Sequence, residues 1–249
     1  MAAKTAAETA AKKAGKQSSV KASFALLWGE QELPSRGPKP SLTAGRIAEA
    51  AIKIADEEGL DAVSLARVAK EFGVTAMALY RYVPGKTELL DLMVDLAIGP
   101  PAQVADVPGG WRPRLTEWAR LCLAMYRRHP WILAATGMRR QIMGPHQLGW
   151  LDTALAALAE TGLPATQQHD TFLLLVSHVR NIAQQYADND EVANAEWAHL
   201  TAEVLERHKE RFPALTAAVA AGAFAPQGGD PLDFGLERIL DGMAALIPQ

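Results

Sequence analysis

Four consecutive residues have side chains suited to contacting the base edges of duplex DNA: Thr75, Ala76, Met77 and Ala78. Small and apolar side chains can touch the methyl groups of thymines in the major groove, although they make few hydrogen bonds to bases. They can do so only from the outward-facing first turn of a helix that fits the groove. The neighbouring sequence therefore has to supply such a helix and hold it in place.

The surrounding residues 63–86 predict two short helices joined by a tight turn. In the first helix, apolar residues recur at helical spacing: Leu65, Val68, Ala69 and Phe72. Ser64 is a suitable N-cap, and Gly73 supplies the left-handed backbone that ends this helix at little steric cost. Thr75 caps the second helix, which is predicted to run from Ala76 to about Val83.

The spacing within this unit favours a helix-turn-helix. Such a motif needs a small residue where its helices cross, a glycine in the turn, and an aliphatic residue facing back into the core. Ala69, Gly73 and Leu79 occur in that order and at suitable distances. An ordinary helical hairpin in an all-helical core would have the same pattern, so the pattern alone leaves both interpretations open.

The longer run from Leu42 to Ile98 resembles the DNA-binding domain of the TetR family of transcriptional regulators. The resemblance is carried by A-x-x-x-G-V-T followed by L-Y-x-Y-V-x-x-K-x-x-L-L, within 57 residues. It implies an all-α protein with an N-terminal helix-turn-helix DNA-binding domain, residues 41–98, and a larger C-terminal helical domain for ligand binding and dimerisation, residues 110–249. It also implies a regulator that binds DNA.

The predicted DNA contacts combine this resemblance with the local pattern. Tyr80 and Lys86 resemble phosphate contacts of the family, which fix register without reading sequence; a core aromatic is the alternative for Tyr80. Thr43 begins the preceding helix and could offer a hydroxyl and backbone N–H to a phosphate. The family often has a basic residue near position 66, and Arg67 is the nearest here. The predicted set is Arg36, Thr43, Arg67, Thr75, Ala76, Met77, Ala78, Tyr80, Arg81 and Lys86.

The N-terminal residues 1–40 are predicted to be a disordered tail followed by a basic arm. Residues 1–24 are rich in Ala, Lys, Ser and Thr without an apolar face, which is typical of disorder. Residues 36–40, with the sequence RGPKP, exclude a helix and form an extended basic segment. Such an arm can enter a narrow minor groove, although a solvated linker would have the same composition.

Composition limits the remaining functions. The chain has 249 residues, 49% of them hydrophobic, and a net charge of −3, which argues only weakly against nucleic acid. One cysteine, no membrane-length apolar run and no secretory signal lead us to expect a cytoplasmic protein. Neither a nucleophile–base pair, a phosphate loop nor metal-ligand spacing occurs, so we expect no enzyme activity, cofactor or metal.

The C-terminal half is predicted to contain only helices. Residues 99–113, with four prolines and three glycines, form the clearest boundary in the chain. Beyond it, helices are predicted at about 114–128, 131–142, 146–161, 165–188, 194–210, 213–222 and 232–246. No window alternates with a period of two, so no sheet is expected.

Aromatic, methionine and polar residues in this half could line a ligand cavity, because such cavities are mostly apolar with a few polar groups. For any one of these residues, ordinary helical core is the alternative. The predicted lining consists of Trp118, Met125, Tyr126, Trp131, Met138, Trp150, His178, Asn181 and Gln184.

The helices near 165–188 and 232–246 are apolar on more than one face. The family resemblance implies that they form a four-helix dimer interface, whereas the sequence alone is equally compatible with monomeric core helices. We therefore expect a homodimeric regulator, a repressor released from a near-palindromic operator by a small apolar or amphipathic effector. The competing hypotheses are a DNA-binding protein that responds to a partner protein, which predicts no cavity, and a helical enzyme or carrier.

Overall fold

The computed structural model describes residues 19–29, 42–137, 142–187, 191–223 and 230–248. Within these residues the chain is helical and contains no strand, which confirms the predicted fold class. The helices are α1 (residues 19–27), α2 (Ala44–Glu58), α3 (Leu65–Glu71), α4 (Ala76–Leu79), α5 (Lys86–Ile98), α6 (Trp111–Arg128), α7 (Trp131–Gly137), α8 (Pro145–Leu158), α9 (Ala165–Ala187), α10 (Glu191–Arg207), α11 (Pro213–Ala220) and α12 (Pro231–Ala244).

Helices α2 and α5 pack together and form the core on which α3 and α4 rest. The side chain of Thr43 caps α2 by accepting a hydrogen bond from the backbone N–H of Arg46 at 3.2 Å. The apolar stripe of α2 is buried at Ile47, Ala51 and Ile54. Each of these residues lies on the face that the helical spacing of the sequence predicts.

The predicted helix-turn-helix is present at α3 and α4. The hydroxyl of Ser64 accepts a hydrogen bond from the backbone N–H of Arg67 at 3.1 Å, and Gly73 has a φ of 64°. Ala69 and Leu79 are buried where the helices cross. The second helix is shorter than predicted, because the N–H groups of Tyr82 and Val83 both bond to the carbonyl of Leu79, each at 2.9 Å, and close the helix into a turn.

Helix α1 differs from the prediction of a disordered tail over residues 19–24, the part of that segment that the structure describes. Residues 19–27 are helical and pack on α5. The hydroxyl of Ser19 donates to Oε1 of Glu88 at 2.5 Å, and that of Ser23 donates to Oδ2 of Asp91 at 2.6 Å. Because these partners are distant in sequence, the composition of the segment does not reveal them. Residues 1–18 and 30–41, including the predicted arm, lie outside the described residues.

The C-terminal helices form a second layer in which α6, α8 and α9 pack against one another and α12 packs on α9. Trp118 lies at the centre, with its indole N–H donating to the carbonyl of Trp150 at 3.0 Å. Helix α7 is described as far as Gly137; residues 138–141 lie outside the described part, and residues 142–144 are not helical. The other predicted helices occur within a few residues of their expected bounds.

No helix in the described ranges has the length and apolarity needed to cross a membrane.

Candidate DNA-binding surface and effector cavity

The first turn of α4 presents its side chains to solvent. Met77 is 74% exposed and Thr75 is exposed, whereas Leu79, two residues beyond Met77, is fully buried. Ala76 and Ala78 are half-buried, and Ala76 packs against the core. The geometry therefore leaves Thr75 and Met77 as the two side chains of this turn that project furthest from the protein.

Further polar groups are exposed after this turn. The side chains of Tyr80, Arg81 and Lys86 are exposed, and Lys86 is the first residue of α5. Tyr82 is half-buried and packs against the core. Two cations and a phenol thus lie within one short segment, which is the composition expected of a surface that contacts phosphates.

Arg67 has ion-pair partners that the sequence analysis did not predict. Its guanidinium forms ion pairs with Glu58, at 2.6 Å, and with Glu71. The hydrogen bonds that Arg67 donates to these carboxylates raise the pKa of its guanidinium, and the same interaction with Arg67 lowers the pKa of Glu71. Arg67 therefore links the end of α2 to α3 and does not present a free charge to DNA.

The two remaining predicted contacts are Thr43 and Arg36. Thr43 uses its hydroxyl oxygen to cap α2, so only its O–H is left to donate to a phosphate. Arg36 lies outside the described residues.

A cavity of about 200 Å³ lies among α5, α6, α7, α8 and α9. Its walls are mostly apolar and aromatic, as in typical small-molecule sites. The lining residues are Ile98, Trp118, Cys122, Met125, Tyr126, Thr136, Met143, Gln147, Trp150, Phe172, Val176 and Arg180. For comparison, a dry engineered cavity of about 150 Å³ accepts benzene, so an aromatic ring fits.

Four of the predicted lining residues lie in this wall: Trp118, Met125, Tyr126 and Trp150. His178, Asn181, Gln184 and Trp131 do not, and Met138 lies outside the described residues. On α9 the wall is formed by residues at intervals of four, namely Phe172, Val176 and Arg180. This spacing, which places side chains on one helical face, was the signal in the sequence that would have identified Arg180.

The α9 residues that miss the cavity have other partners. Nε2 of His178 lies 3.0 Å from the carbonyl oxygen of Leu232 on α12. A Cβ added to Gly235 would collide with the His178 ring, so a glycine is needed for α12 to approach α9 this closely. Asn181 accepts a hydrogen bond from the side chain of Gln185, and Gln184 is exposed.

Trp131 instead joins the two layers of the protein. Its indole N–H donates to Oδ1 of Asp56 on α2 at 2.7 Å, and Nδ1 of His129 lies 2.8 Å from the same oxygen. Two side chains at the junction between α6 and α7 thus contact the same carboxylate near the end of α2.

A second connection runs through Asp95 on α5, which is almost completely buried. Its carboxylate caps α8 by accepting the backbone N–H of Gln147 at 3.0 Å and that of His146 at 3.3 Å. A Cβ at Gly144 would collide with this carboxylate, so the close approach requires glycine. Because the side chain of Gln147 lines the cavity, the cap lies directly beside the space available to a ligand.

Trp150 provides a third connection. Its indole N–H donates to the carbonyl of Gly99, the residue after α5, at 3.2 Å. Trp150, Met125 and Ile98 also line a larger cleft of about 760 Å³ between the two layers. These three side chains therefore separate the cavity from the cleft, and a ligand spanning both would have to move Trp150.

Cys122 and Tyr126 are neutral parts of the cavity wall. Burial raises the pKa of the Cys122 thiol to about 12, with the Arg180 charge opposing the shift, and likewise raises the pKa of Tyr126 to about 12. In the unfolded chain these groups ionise near their ordinary pKa values, so high pH favours the unfolded state. The free energy of unfolding should therefore fall as pH rises from about 9 towards 12.

The Cys122 thiol should therefore react slowly in the folded protein. At pH 8, a rise of the thiol pKa from 9.0 to about 12 lowers the thiolate fraction, and with it the expected rate of alkylation, about 1000-fold relative to the unfolded chain. Labelling by iodoacetamide with and without urea, followed by mass spectrometry, measures this ratio. Cys122→Ser serves as the blank, and comparable rates in both states would contradict the buried position.

Apolar side chains are exposed on α9 and α12 and just after α12: Leu173, Leu174, Phe234 and, two residues beyond α12, Leu246. Leu174 and Leu246 line a shallow groove of about 360 Å³ between these two helices. Several neighbouring large apolar side chains on a surface mark an interaction site.

Within the described ranges, no group of three or more His, Cys, Asp or Glu side chains could hold a metal ion.

Comparison with known families gives matches to both parts of the chain. Residues 47–93 match the family described as bacterial regulatory proteins, tetR family. Residues 105–247 match the family described as tetracyclin repressor-like, C-terminal domain.

Individual proteins match nearly the whole chain. It is 40% identical over 239 residues to the HTH-type transcriptional repressor DrrR1 of Streptomyces coeruleorubidus, a match that covers 92% of this chain and 87% of that protein. An HTH-type transcriptional regulator of Saccharopolyspora erythraea is 28% identical over 239 residues, with 92% and 95% covered.

Solved structures of the Streptomyces coelicolor TetR family protein ActR have a similar fold. The ActR complex with (S)-DNPA has a TM-score of 0.71 at 25% identity, and covers 83% of this chain and 99% of ActR. The complex with actinorhodin has a TM-score of 0.71 at 27% identity, with 85% and 99% covered.

Proposed function

This chain belongs to the TetR family of transcriptional regulators, and from that premise we propose that it is a homodimeric repressor whose operator is released when a small aromatic molecule fills the cavity. It is a DNA-binding regulator and not an enzyme. The observation that carries the DNA-binding part is the first turn of α4, where Met77 is exposed while Ala69 and Leu79 are buried beneath it.

In the proposed complex, each subunit places α4 in one major groove. Thr75 and Met77 face the base edges, while Tyr80, Arg81 and Lys86 contact phosphates, as their exposure permits. The two DNA-binding domains of a dimer require half-sites about 34–36 Å apart on one face of the duplex. Because few side chains in this turn can donate hydrogen bonds to bases, much of the specificity would come from methyl contacts and DNA shape.

The names of the relatives support repression and a small-molecule effector. DrrR1 is named a repressor, and ActR was solved with (S)-DNPA and with actinorhodin. In this chain, a cavity walled by Trp118, Trp150 and Phe172 favours a ligand-responsive regulator over one that responds only to a partner protein, since the latter hypothesis predicts no cavity.

The proposed dimer uses the exposed apolar surface of α9 and α12. Leu174, Phe234 and Leu246 lie on this surface, and α9 and α12 from two subunits can form a four-helix interface. The Gly235–His178 contact fixes how α12 lies on α9, so it also fixes the shape of the surface that meets the second subunit.

We propose that the effector acts through the connections at Asp95 and Trp150. A ligand that moves Gln147 or Trp150 would disturb the cap on α8 or the hydrogen bond to Gly99, and both lead to α5. A ligand shifts the equilibrium only by binding the non-docking arrangement better, and a coupling of about 1–3 kcal/mol changes operator affinity about 5- to 150-fold.

The test of the DNA-binding surface is the paired variant Tyr80→Phe, Lys86→Ala. If both side chains contact phosphates, operator affinity should fall by a similar factor for every sequence bound, and the slope of log K against log salt should drop by about one for the lost lysine. A mobility-shift titration on the DNA upstream of the gene measures both quantities.

Lys209→Ala is the matched control for that variant, because Lys209 is an exposed cation after α10, beside Glu206. It should leave affinity and salt slope unchanged. If the paired variant and Lys209→Ala bind alike, the surface after α4 does not contact the operator.

A further inference from the structure

Arg180 gives the cavity a positive charge that no described residue balances. It is the one charged side chain in the cavity wall, and no carboxylate is among the lining residues. Its hydrogen bonds go to neutral groups: the hydroxyl of Tyr126 at 3.1 Å, the hydroxyl of Thr136 at 2.5 Å and the carbonyl of Leu133 at 3.3 Å. Among the described residues it takes part in no ion pair.

The nearby titratable groups do not supply the missing charge. Cys122 and Tyr126 are both protonated at neutral pH, since their ordinary pKa values lie above 7 and burial raises them further. A guanidinium has five N–H donors, and the three hydrogen bonds to neutral groups leave two N–H groups without a hydrogen-bond partner among the described residues. A partly buried cation without a counter-ion is costly, and a ligand that brings an anionic oxygen offsets this cost.

The aromatic side chains determine what the rest of such a ligand should be. The Trp118 ring is edge-on to Trp150 and to Phe172, with centroid distances of 5.8 Å in both cases. Such rings pack well against a flat aromatic skeleton, and Met125 and Met143 in the wall can adjust to its outline.

We propose that the effector is a planar aromatic anion whose carboxylate or ionised phenol binds Arg180 while its rings lie among Trp118, Trp150 and Phe172. This proposal rests on the proposed function of the same cavity, and it adds the charge of the ligand. An anion at Arg180 would form charge-assisted hydrogen bonds, which are about twice as strong as neutral ones. Neutral and cationic molecules of the same shape should bind more weakly.

Three probes of nearly equal shape test the charge: anthracene-9-carboxylate, anthracene-9-carboxamide and 9-(aminomethyl)anthracene. Their affinities for the full chain can be measured by quenching of tryptophan fluorescence and by calorimetry. We expect the carboxylate to bind at least about 10-fold more tightly than the amide, a difference typical of one charged hydrogen-bonded contact, and the amine to bind most weakly.

The variants assign this preference to Arg180. In Arg180→Gln the affinities for the carboxylate and the amide should become about equal. Arg180→Lys should keep part of the preference for the carboxylate, because lysine keeps the positive charge but lacks the planar guanidinium group. Arg120→Gln, which removes an exposed arginine paired with Asp233, should behave like the unchanged protein.

A measurement on the unchanged protein covers the case in which Arg180→Gln does not fold. Umbelliferone changes its absorption when it ionises, and a site that prefers the anion must lower the pKa of the bound probe. A raised pKa, equal affinities for carboxylate and amide, or no binding of any anthracene probe would each overturn the proposal.

Operator binding without any probe separates this inference from the proposed function. If the protein binds the operator normally but binds the carboxylate and the amide probes equally well, only the inference of an anionic effector is wrong. If the protein does not bind the operator but binds the carboxylate much more tightly than the amide, the proposed regulation at this operator is wrong. Arg180 would still define an anion-binding site.

Discussion

Replacing both Leu174 and Phe234 with aspartate is expected to make the protein a monomer and to lower its operator affinity at least about 100-fold. Leu174 is 56% exposed on α9 and Phe234 is 74% exposed on α12, on the surface proposed for the dimer. A carboxylate buried in an apolar interface costs several kcal/mol. A lone subunit then binds one half-site without the high effective concentration that its partner provides for the other.

Sedimentation velocity at micromolar concentration and a mobility-shift titration measure the two effects. Val20→Asp is the control, because Val20 is a similarly exposed apolar residue on α1, far in sequence from the proposed interface; it should leave the protein dimeric. A double variant that sediments as a dimer would exclude the α9–α12 surface and direct attention to α10, where Trp197 and Leu200 are exposed.

Asp95→Ala is expected to disconnect the DNA-binding helices from the cavity. The substitution removes the acceptor for the N–H groups of His146 and Gln147, and loss of such a cap lowers the free energy of unfolding by about 1–2 kcal/mol. Coupling between two sites is reciprocal. Operator binding should therefore change the hydrogen exchange of the first amides of α8 in the unchanged protein and should no longer do so in the variant.

Asp91→Asn is a closely matched control for that experiment. Asp91 and Asp95 lie on the same helix and are equally buried, both 2% exposed, but Asp91 accepts a hydrogen bond from Ser23 of α1. Asp91→Asn should lower the melting temperature yet preserve the response of α8 to operator. If Asp95→Ala also preserves this response, the signal does not pass through the cap.

The features that the sequence predicts well are those set by neighbours in the chain. Ser64, Gly73 and the Ala69–Leu79 crossing act within one short segment, so their spacing predicted the helix-turn-helix. Trp118 and Trp150, which the sequence placed among the possible ligand contacts, lie in the cavity wall, because large apolar side chains on amphipathic helices face inward.

The features that the sequence did not predict depend on distant partners. Arg67 was expected at the DNA, but Glu58 approaches it from the end of α2. Trp131 was expected in the cavity, but Asp56 holds it at the junction of the two layers. His178 and Arg180 are two residues apart on α9, so helical spacing places them on different faces; the positions of α12 and α7 then decide which of the two faces lines the cavity.

Helix α5 has three buried carboxylates along one side: Glu88, Asp91 and Asp95. The first two accept hydroxyls of α1 near one end, and the third accepts amides of α8 near the other. Rotation of α5 about its long axis would break the hydrogen bonds of all three carboxylates at once. These contacts therefore oppose such a rotation. Helix α5 therefore links α1 near its N-terminal end to α8 near its C-terminal end, and a displacement of α8 is expected to move α5 as a rigid unit.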